Sequence, residues 1–578
     1  MANTRSFPTR GVLRRPKFGA IDILVGAGIA ALLIVIVRLG HDMNARTVTA
    51  HVSQAISTKP SNLPYYAARS LLRMFIALGL SVAFTLSYGT AAARLRRARL
   101  VLIPVLDILQ SVPVLGFLAI IVTFFVSLFP NSVLGLELAS IFAVFTSQAW
   151  NMTFSFYHSL ITQPKDLDEA ARMFRLSKWE RFWHLDVPSS MIGLVWNGMM
   201  SFGGGWFFLA ASEAIAVLGH NYYLPGIGSY MAQAALNGDL KQVGLAIVTM
   251  IVMVVGVNVL FWRPLVAWAE KFRVETSEAT DQPRSLTLDF LRRSHIPAMI
   301  GRPLKPVAEA LNRTTRPLGL AEYPLHENPT KRRAGDVVFT IVVTALVTWG
   351  VYEGYVYLSH NGGFGQFLTC FKLGFYTLLR VTICVVVATL VWVPIGVKIG
   401  MSPRLSRYAQ PVVQVAASFP AILLFPFAVV IFLGIGLPLN IGGIFLMALG
   451  AQWYILFNVI AGASAIPTDM RELVDQFRLP RKQRWRELIL PGIFPYYVTG
   501  GITAAGGAWN AAIVAEVVNY GKHHLVASGL GAYIAQAAHD GPFSHVVIGV
   551  IVMSFYVVVV NRLLWRRLYH LAETRYSM

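Results

Sequence analysis

Four ionisable residues sit where the surrounding sequence makes them expensive. Arg73 and Glu213 lie in long apolar runs, and Arg380 and Glu516 recur at matching places further along the chain. A charge within hydrocarbon costs about 2.5–3.5 kcal/mol on insertion scales, so such residues are functional candidates by default. Similar depth and opposite sign predict electrostatic pairs, Arg73 with Glu213 and Arg380 with Glu516. The competing reading is that each side chain snorkels separately to the interface. The four read first as architecture or gate and second as substrate contacts, because a paired arginine is partly neutralised. Further polar groups are candidates to line a pathway. Ser111 and Ser418 sit beside the matched prolines Pro113 and Pro420, and Gln148 recurs approximately as Gln452. Trp206 and Trp509 each follow a run of small residues, which more often serves tight helix packing.

Other chemistries lack their residues. No His-Glu-x-x-His metal motif and no activated nucleophile is present, and His523-His524 does not project like an i, i+4 zinc pair. Cys370 and Cys384 offer no metal-ligand spacing and read as packing residues. A phosphate-binding Gly-x-x-x-x-Gly-Lys-Ser/Thr loop is absent, since no lysine is followed by serine or threonine. The chain is therefore expected to hold no cofactor and to hydrolyse no ATP itself.

Two polar loops carry a second pattern. One runs from Pro164 through Asp166, Glu169, Ala170, Ala171, Phe174 and Arg175 to Pro188. The other runs from Pro467 through Asp469, Glu472, Phe477 and Arg478 to Pro491. Asp166 with Glu169, and Asp469 with Glu472, have capping-box spacing, so each is expected to open a short helix. Met173, Phe174 and Leu176 would give the first helix an apolar face of the kind that marks a docking surface.

The elements that position these residues follow from hydropathy. The 578-residue chain is 55% hydrophobic and only 13% charged, about half the charge of a soluble domain. Its net charge of +21 is explained by basic loops flanking apolar runs rather than by a nucleic-acid-binding domain. Apolar runs long enough to span a bilayer predict about twelve helices. They fall at 21–39, 70–93, 101–128, 138–160, 191–217 and 241–262, then at 336–358, 374–397, 409–434, 440–462, 496–518 and 545–564. The second half restates the first at an offset of about 303 to 307 residues: Trp206, Glu213, Gly226 and Tyr230 match Trp509, Glu516, Gly529 and Tyr533. The expected fold is an all-α polytopic membrane protein of two parallel six-helix repeats. Its expected parts are a cytoplasmic segment 1–20, modules 21–262 and 336–566, a Pro-rich cytoplasmic linker 263–335 that reads as a tether, and a cytoplasmic tail 567–578. Positive charge places both termini and both polar loops in the cytoplasm.

The Glu-Ala-Ala opening at Glu169, and the hydrophobic-x-hydrophobic-Pro endings at Pro188 and Pro491, resemble the cytoplasmic loop of binding-protein-dependent ABC importer permeases. The resemblance covers about 70–262 and 377–566 and is strongest toward duplicated anion permeases of the nitrate/sulfonate/taurine/bicarbonate branch. It implies a type I importer-like fold in the bacterial inner membrane. It further implies two ATP-binding partner subunits carrying ATP and Mg, a solute-binding protein, and a small anionic solute. It makes the two loops the ATPase-coupling elements. Two departures are present: the family's glycine six residues after the glutamate is Arg175 and Arg478, and the second copy reads Glu-Leu-Val. An ion-coupled secondary transporter is the alternative, for which the repeated loop has no use.

Overall fold

The computed structural model describes residues 20–43, 56–130, 132–217, 220–272, 286–294, 304–315 and 329–575. The segment 1–19 and much of the linker lie outside them. In the first half, α1 (Ala20–Met43) precedes α2 (Leu63–Arg94), α3 (Arg96–Ser111), α4 (Leu118–Leu128) and α5 (Leu134–Ile161). Two short helices, α6 (Lys165–Met173) and α7 (Lys178–Arg181), lead into α8 (Val187–Glu213). A hairpin β1 (Ala214–Val217) and β2 (His220–Tyr223) follows, then α9 (Ile227–Leu236), α10 (Leu240–Val257) and α11 (Arg263–Ala269). The linker contributes α12 (Leu286–Arg293) and α13 (Leu304–Thr315).

The second half repeats this order. It runs α14 (Pro329–His360), α15 (Phe367–Gly400), α16 (Pro403–Ser418), α17 (Phe425–Ile435), α18 (Leu439–Ala465), α19 (Thr468–Gln476), α20 (Arg481–Gln483) and α21 (Leu490–Ala515). The hairpin β3 (Val517–Tyr520) and β4 (His523–Val526) then leads to α22 (Leu530–Asp540), α23 (Phe543–Val560) and α24 (Arg566–Arg575).

Eight described helices are long and apolar enough to cross a membrane, and two bent pairs raise the count to ten. The expectation of about twelve differs by α5 and α8, whose composition is more polar. Both are long, at 28 and 27 residues. Their polar residues are sheltered within the bundle, as with Glu137, Ser140, Gln148, Ser190, Ser212 and Glu213, all buried. By the repeat they are the counterparts of α18 and α21, whose segments do qualify.

The structure corrects the runs 101–128 and 409–434, which are not continuous helices. The chain turns by 91° between Arg96–Gln110 and Val114–Leu128, and by 83° between Pro403–Ser418 and Ala421–Ile435. Pro113 and Pro420 stand at the breaks in extended conformation. Proline cannot donate the next helical hydrogen bond and disfavours helical geometry before it. The break sends each arm across to the other half. Val114, Leu115 and Leu118 join the core of the second half, and Gly116 lies against Val550. Leu423 joins the core of the first. The halves are knitted by this exchange rather than merely apposed.

The runs 191–217 and 496–518 also stop earlier than expected, at Glu213 and Ala515, where the hairpins begin. The second hairpin grips the first half: Gly521 N donates to Ala235 O at 2.9 Å and Tyr520 Oη to Gly238 O at 3.2 Å. α9 and α22 then pack closely on the helices before them. A Cβ on Gly228 would lie 2.3 Å from Ala210 O, and one on Gly531 would lie 2.5 Å from Ala512 O. Helix backbone cannot rotate away as a side chain can. Gly228→Ala and Gly531→Ala should each destabilise the protein by about 1–3 kcal/mol, read as a fall in thermal midpoint of the detergent-purified chain.

Candidate functional site

Two buried charge assemblies lie where the hairpins leave the bundle. In the first half, Arg73 Nη1 is 2.7 Å from Glu213 Oε1, with both side chains essentially inaccessible. Glu213 closes the last turn of α8 and also serves the start of α9: Gly228 N donates to its Oε2 at 2.7 Å. Ser70 Oγ donates to Glu213 and accepts from Ile227 N at 3.1 Å. A carboxylate at a helix N-terminus satisfies donors that have no partner within the helix and complements its dipole. The carboxylate needs room, and a Cβ on Gly226 would fall 2.2 Å from its carbon. The second half repeats the device. Arg380 Nη1 is 2.7 Å from Glu516 Oε1, Thr377 Oγ1 donates to Glu516 at 2.8 Å, and Ala532 N donates to Oε2 at 3.1 Å.

Sequence reasoning missed the rest of the cluster. Arg73 also engages Glu137, through Nε at 2.5 Å and Nη2 at 2.8 Å, and Arg69 donates to the same carboxylate. Arg69 and Glu137 each lie one residue outside the apolar runs as drawn, so they read as loop residues. In the second half Tyr376 takes the register of Arg69, and Asn440 the place of Glu137. Arg380 Nη2 donates to Asn440 Oδ1 at 2.8 Å. A cation and an anion are thus replaced together, and each cluster stays neutral. Glu137→Asn alone leaves two buried arginines sharing Glu213, which costs about 3–5 kcal/mol. Adding Arg69→Tyr should recover most of that loss, as a thermal-midpoint cycle of the two singles and the double will show.

The polar loops sit at the opposite face. Here the structure corrects the expected capping boxes. α6 begins at Lys165 after Pro164, with no side-chain cap, so Asp166 lies inside the first turn. α19 begins at Thr468, which puts Asp469 inside its first turn too. Proline supplies the entry geometry instead, and the acids act on the helix dipole. The capping box that does form joins Ser177 and Glu180 at α7. Asp166, Glu169, Asp469 and Glu472 are all exposed, while Ala170 is half-buried and Ala171 buried.

Each short helix ends on a bare phenylalanine. Phe174 is 78% exposed and Phe477 74% exposed. The next residues, Arg175 and Arg478, have φ of 49° and 48°, the only positive values among described non-glycine residues. Arg175 N donates to Arg172 O and Leu176 N to Ala171 O. This is the Schellman ending, in which glycine is the usual left-handed residue. Arginine accepts the strain in both copies. Arg175→Gly or Arg478→Gly should therefore keep the loop and add stability of about 1 kcal/mol, seen as a raised thermal midpoint.

The candidate pathway residues divide. Ser418 and Trp206 line one small space where α8 and α10 meet α16. Gln148 is buried beside Gly205 and Ser81. Gln452 accepts from Trp392 Nε1 at 2.9 Å within its own half. Trp509 is buried and stacks on Tyr556. Ser111 ends α3, and its side chain lies outside the described residues. Arg73, Glu213, Arg380 and Glu516 belong to the clusters above. No group of three or more potential metal ligands occurs among the described residues.

Comparison with known proteins agrees with this duplicated layout. Residues 76–266 and 392–570 each match the binding-protein-dependent transport system inner membrane component. A nitrate import permease of Synechococcus elongatus is 28% identical over 188 residues, 32% of this chain and 62% of its own length. A bicarbonate transport system permease of the same organism is 26% identical over 176 residues, covering 30% and 60%. A taurine transport system permease of Escherichia coli is 24% identical over 196 residues, covering 33% and 67%. The match spans about three-fifths of the length of the nitrate and bicarbonate relatives. With two matched regions that together exceed half its length, the chain belongs to the binding-protein-dependent transport system inner membrane component family.

Proposed function

We propose that this chain is the membrane-spanning permease of an ATP-driven importer, with modules 21–262 and 336–566 forming the two sides of one pathway. Two separate ATP-binding subunits dock on the loops that carry Phe174 and Phe477. A solute-binding protein delivers a small anion at the hairpin face, and both termini lie in the cytoplasm of a bacterial inner membrane. The observation that carries this reading is the repeated short helix ending on an exposed phenylalanine. An apolar side chain held out to water twice, at equivalent places, fits burial in a partner's groove.

The loops are also built to transmit force. Arg181 of α7 pairs with Asp168 of α6 and lies 3.6 Å from Asp186, which Arg94 Nη2 reaches at 2.5 Å, so α6 is linked through this chain to α2 and to the start of α8. In the second half, Arg471 Nη2 reaches Ala463 O at 2.7 Å and Ser464 O at 3.2 Å, fastening α19 to the end of α18. Closure of an ATPase pair would draw the two loops together and turn the pathway outward, and hydrolysis would reset it.

Phe174→Asp and Phe477→Asp should each abolish ATP-driven uptake in proteoliposomes holding the full complex and should weaken co-purification of the ATP-binding subunits by at least about tenfold. Either change places a charge in a desolvated contact. Uphill uptake by this chain without ATP-binding subunits, driven by an ion gradient, would overturn the reading.

A further inference from the structure

The small cavity between the halves has its own chemistry. It is lined by Gly203 and Gly204 of α8, Ser418 at the end of α16, Tyr454 of α18, and Gly507 and Asn510 of α21. Its volume is about 50 Å³. One water needs about 10–15 Å³ by the same measure, so the space suits an ion of a few heavy atoms. The glycines hold it open. A Cβ on Gly203 would lie 2.6 Å from Ser418 Oγ, and one on Gly204 would lie 3.4 Å from Tyr454 Oη.

The hydrogen-bonding roles of the lining are fixed by its surroundings. Asn510 Nδ2 donates to Gly506 O at 3.1 Å. A carbonyl only accepts, so the amide nitrogen belongs on that side and Oδ1 on the other. Oδ1 is buried and has no partner. Ser418 Oγ spends its proton on Gln414 O at 2.9 Å, which leaves its lone pairs for the cavity. Tyr454 Oη is the remaining hydroxyl and can donate. The lining thus offers two acceptors and one donor and carries no charged side chain.

We propose that this cavity is a transit site for a small oxyanion that brings its own hydrogen-bond donor, of the hydrogencarbonate type, in preference to a proton-free oxyanion such as nitrate. The proposal rests on the permease reading. Asn510 Oδ1 would accept a hydrogen bond from the ion's hydroxyl, and Tyr454 would donate one to its charged end. A proton-free anion would face two unshared lone pairs instead. A fixed cation would hold any anion too tightly to pass, whereas neutral groups allow entry and release.

The test uses the full chain in nanodiscs at pH 8, with ¹³C-hydrogencarbonate and ¹⁵N-nitrate as separate NMR probes. Excess line broadening should be at least about threefold larger for hydrogencarbonate. It should disappear in the near-isosteric Tyr454→Phe and in Asn510→Leu. Equal or greater broadening of nitrate would overturn the proposal, as would unchanged hydrogencarbonate broadening in both variants. Stimulation of ATP hydrolysis by the wild-type chain is measured in the same discs with the ATP-binding subunits added. If stimulation is absent, the permease reading fails whatever the ions do. If stimulation is present and the ion preference is reversed, the transit-site proposal alone falls.

Discussion

A buried glutamate that is at once one arm of an ion pair and the cap of the next helix organises each half. In hydrocarbon, neither the arginine on the second helix nor the free amides of α9 or α22 can turn to water. Glu213 and Glu516 meet both needs from one position, at the end of a long helix and just before the hairpin that leads to the capped helix. Removing either carboxylate would strand a cation and open a helix end together. The flanking glycines follow from this constraint, since Gly226 and Gly529 have no space for a side chain beside the carboxylate. The hairpin therefore has a fixed take-off and landing point, and its counterpart reaches across to the other half through Gly521 and Tyr520.

The proline breaks give the molecule its second constraint. A straight third helix would keep each half to itself. The turns at Pro113 and Pro420 instead deliver Val114, Leu115 and Leu118 into the core of the second half and Leu423 into the core of the first. The same turn brings Ser418 against Gly203 of the first half. The cavity exists because a broken arm from one half meets a glycine-rich helix from the other. Small residues there permit close approach, and the hydroxyls and amide arrive from one side only.

Much of this was legible in the sequence. The duplication, the long helices and the loops announced themselves through repeated residues and hydropathy, which are local signals. The Arg73 and Arg380 partners could be named because charge in an apolar run demands compensation. Four features escaped for physical reasons. Glu137 and Arg69 were hidden by sitting at the edge of their runs, where an ionisable residue looks solvated. The bends at Pro113 and Pro420 were hidden because hydropathy ignores direction. The absent caps at Asp166 and Asp469 show that capping-box spacing competes with a preceding proline. Pro164 and Pro467 start the helix early enough to swallow the acid. Asn510 carried no signal, because its significance lies in what the other half leaves open.

Divergence between the halves shows which features the geometry requires. Asp168 and Asp186 bind Arg181 and Arg94 in the first loop, and the corresponding residues of the second are Arg471 and Ile489. The second loop nevertheless keeps its anchor, because Arg471 turns to the carbonyls that end α18. At the buried charge cluster, Tyr376 and Asn440 replace Arg69 and Glu137 without leaving a charge unbalanced. The cluster drifted as a compensating pair and the loop exchanged a side-chain anchor for a backbone one, while the bare phenylalanine, the left-handed arginine and the proline break stayed put. Compensated pairs change because their total is what packing feels. Unpaired features persist where no second residue can restore them, and a side chain held out to solvent or a backbone forced to positive φ has no compensating partner inside the chain.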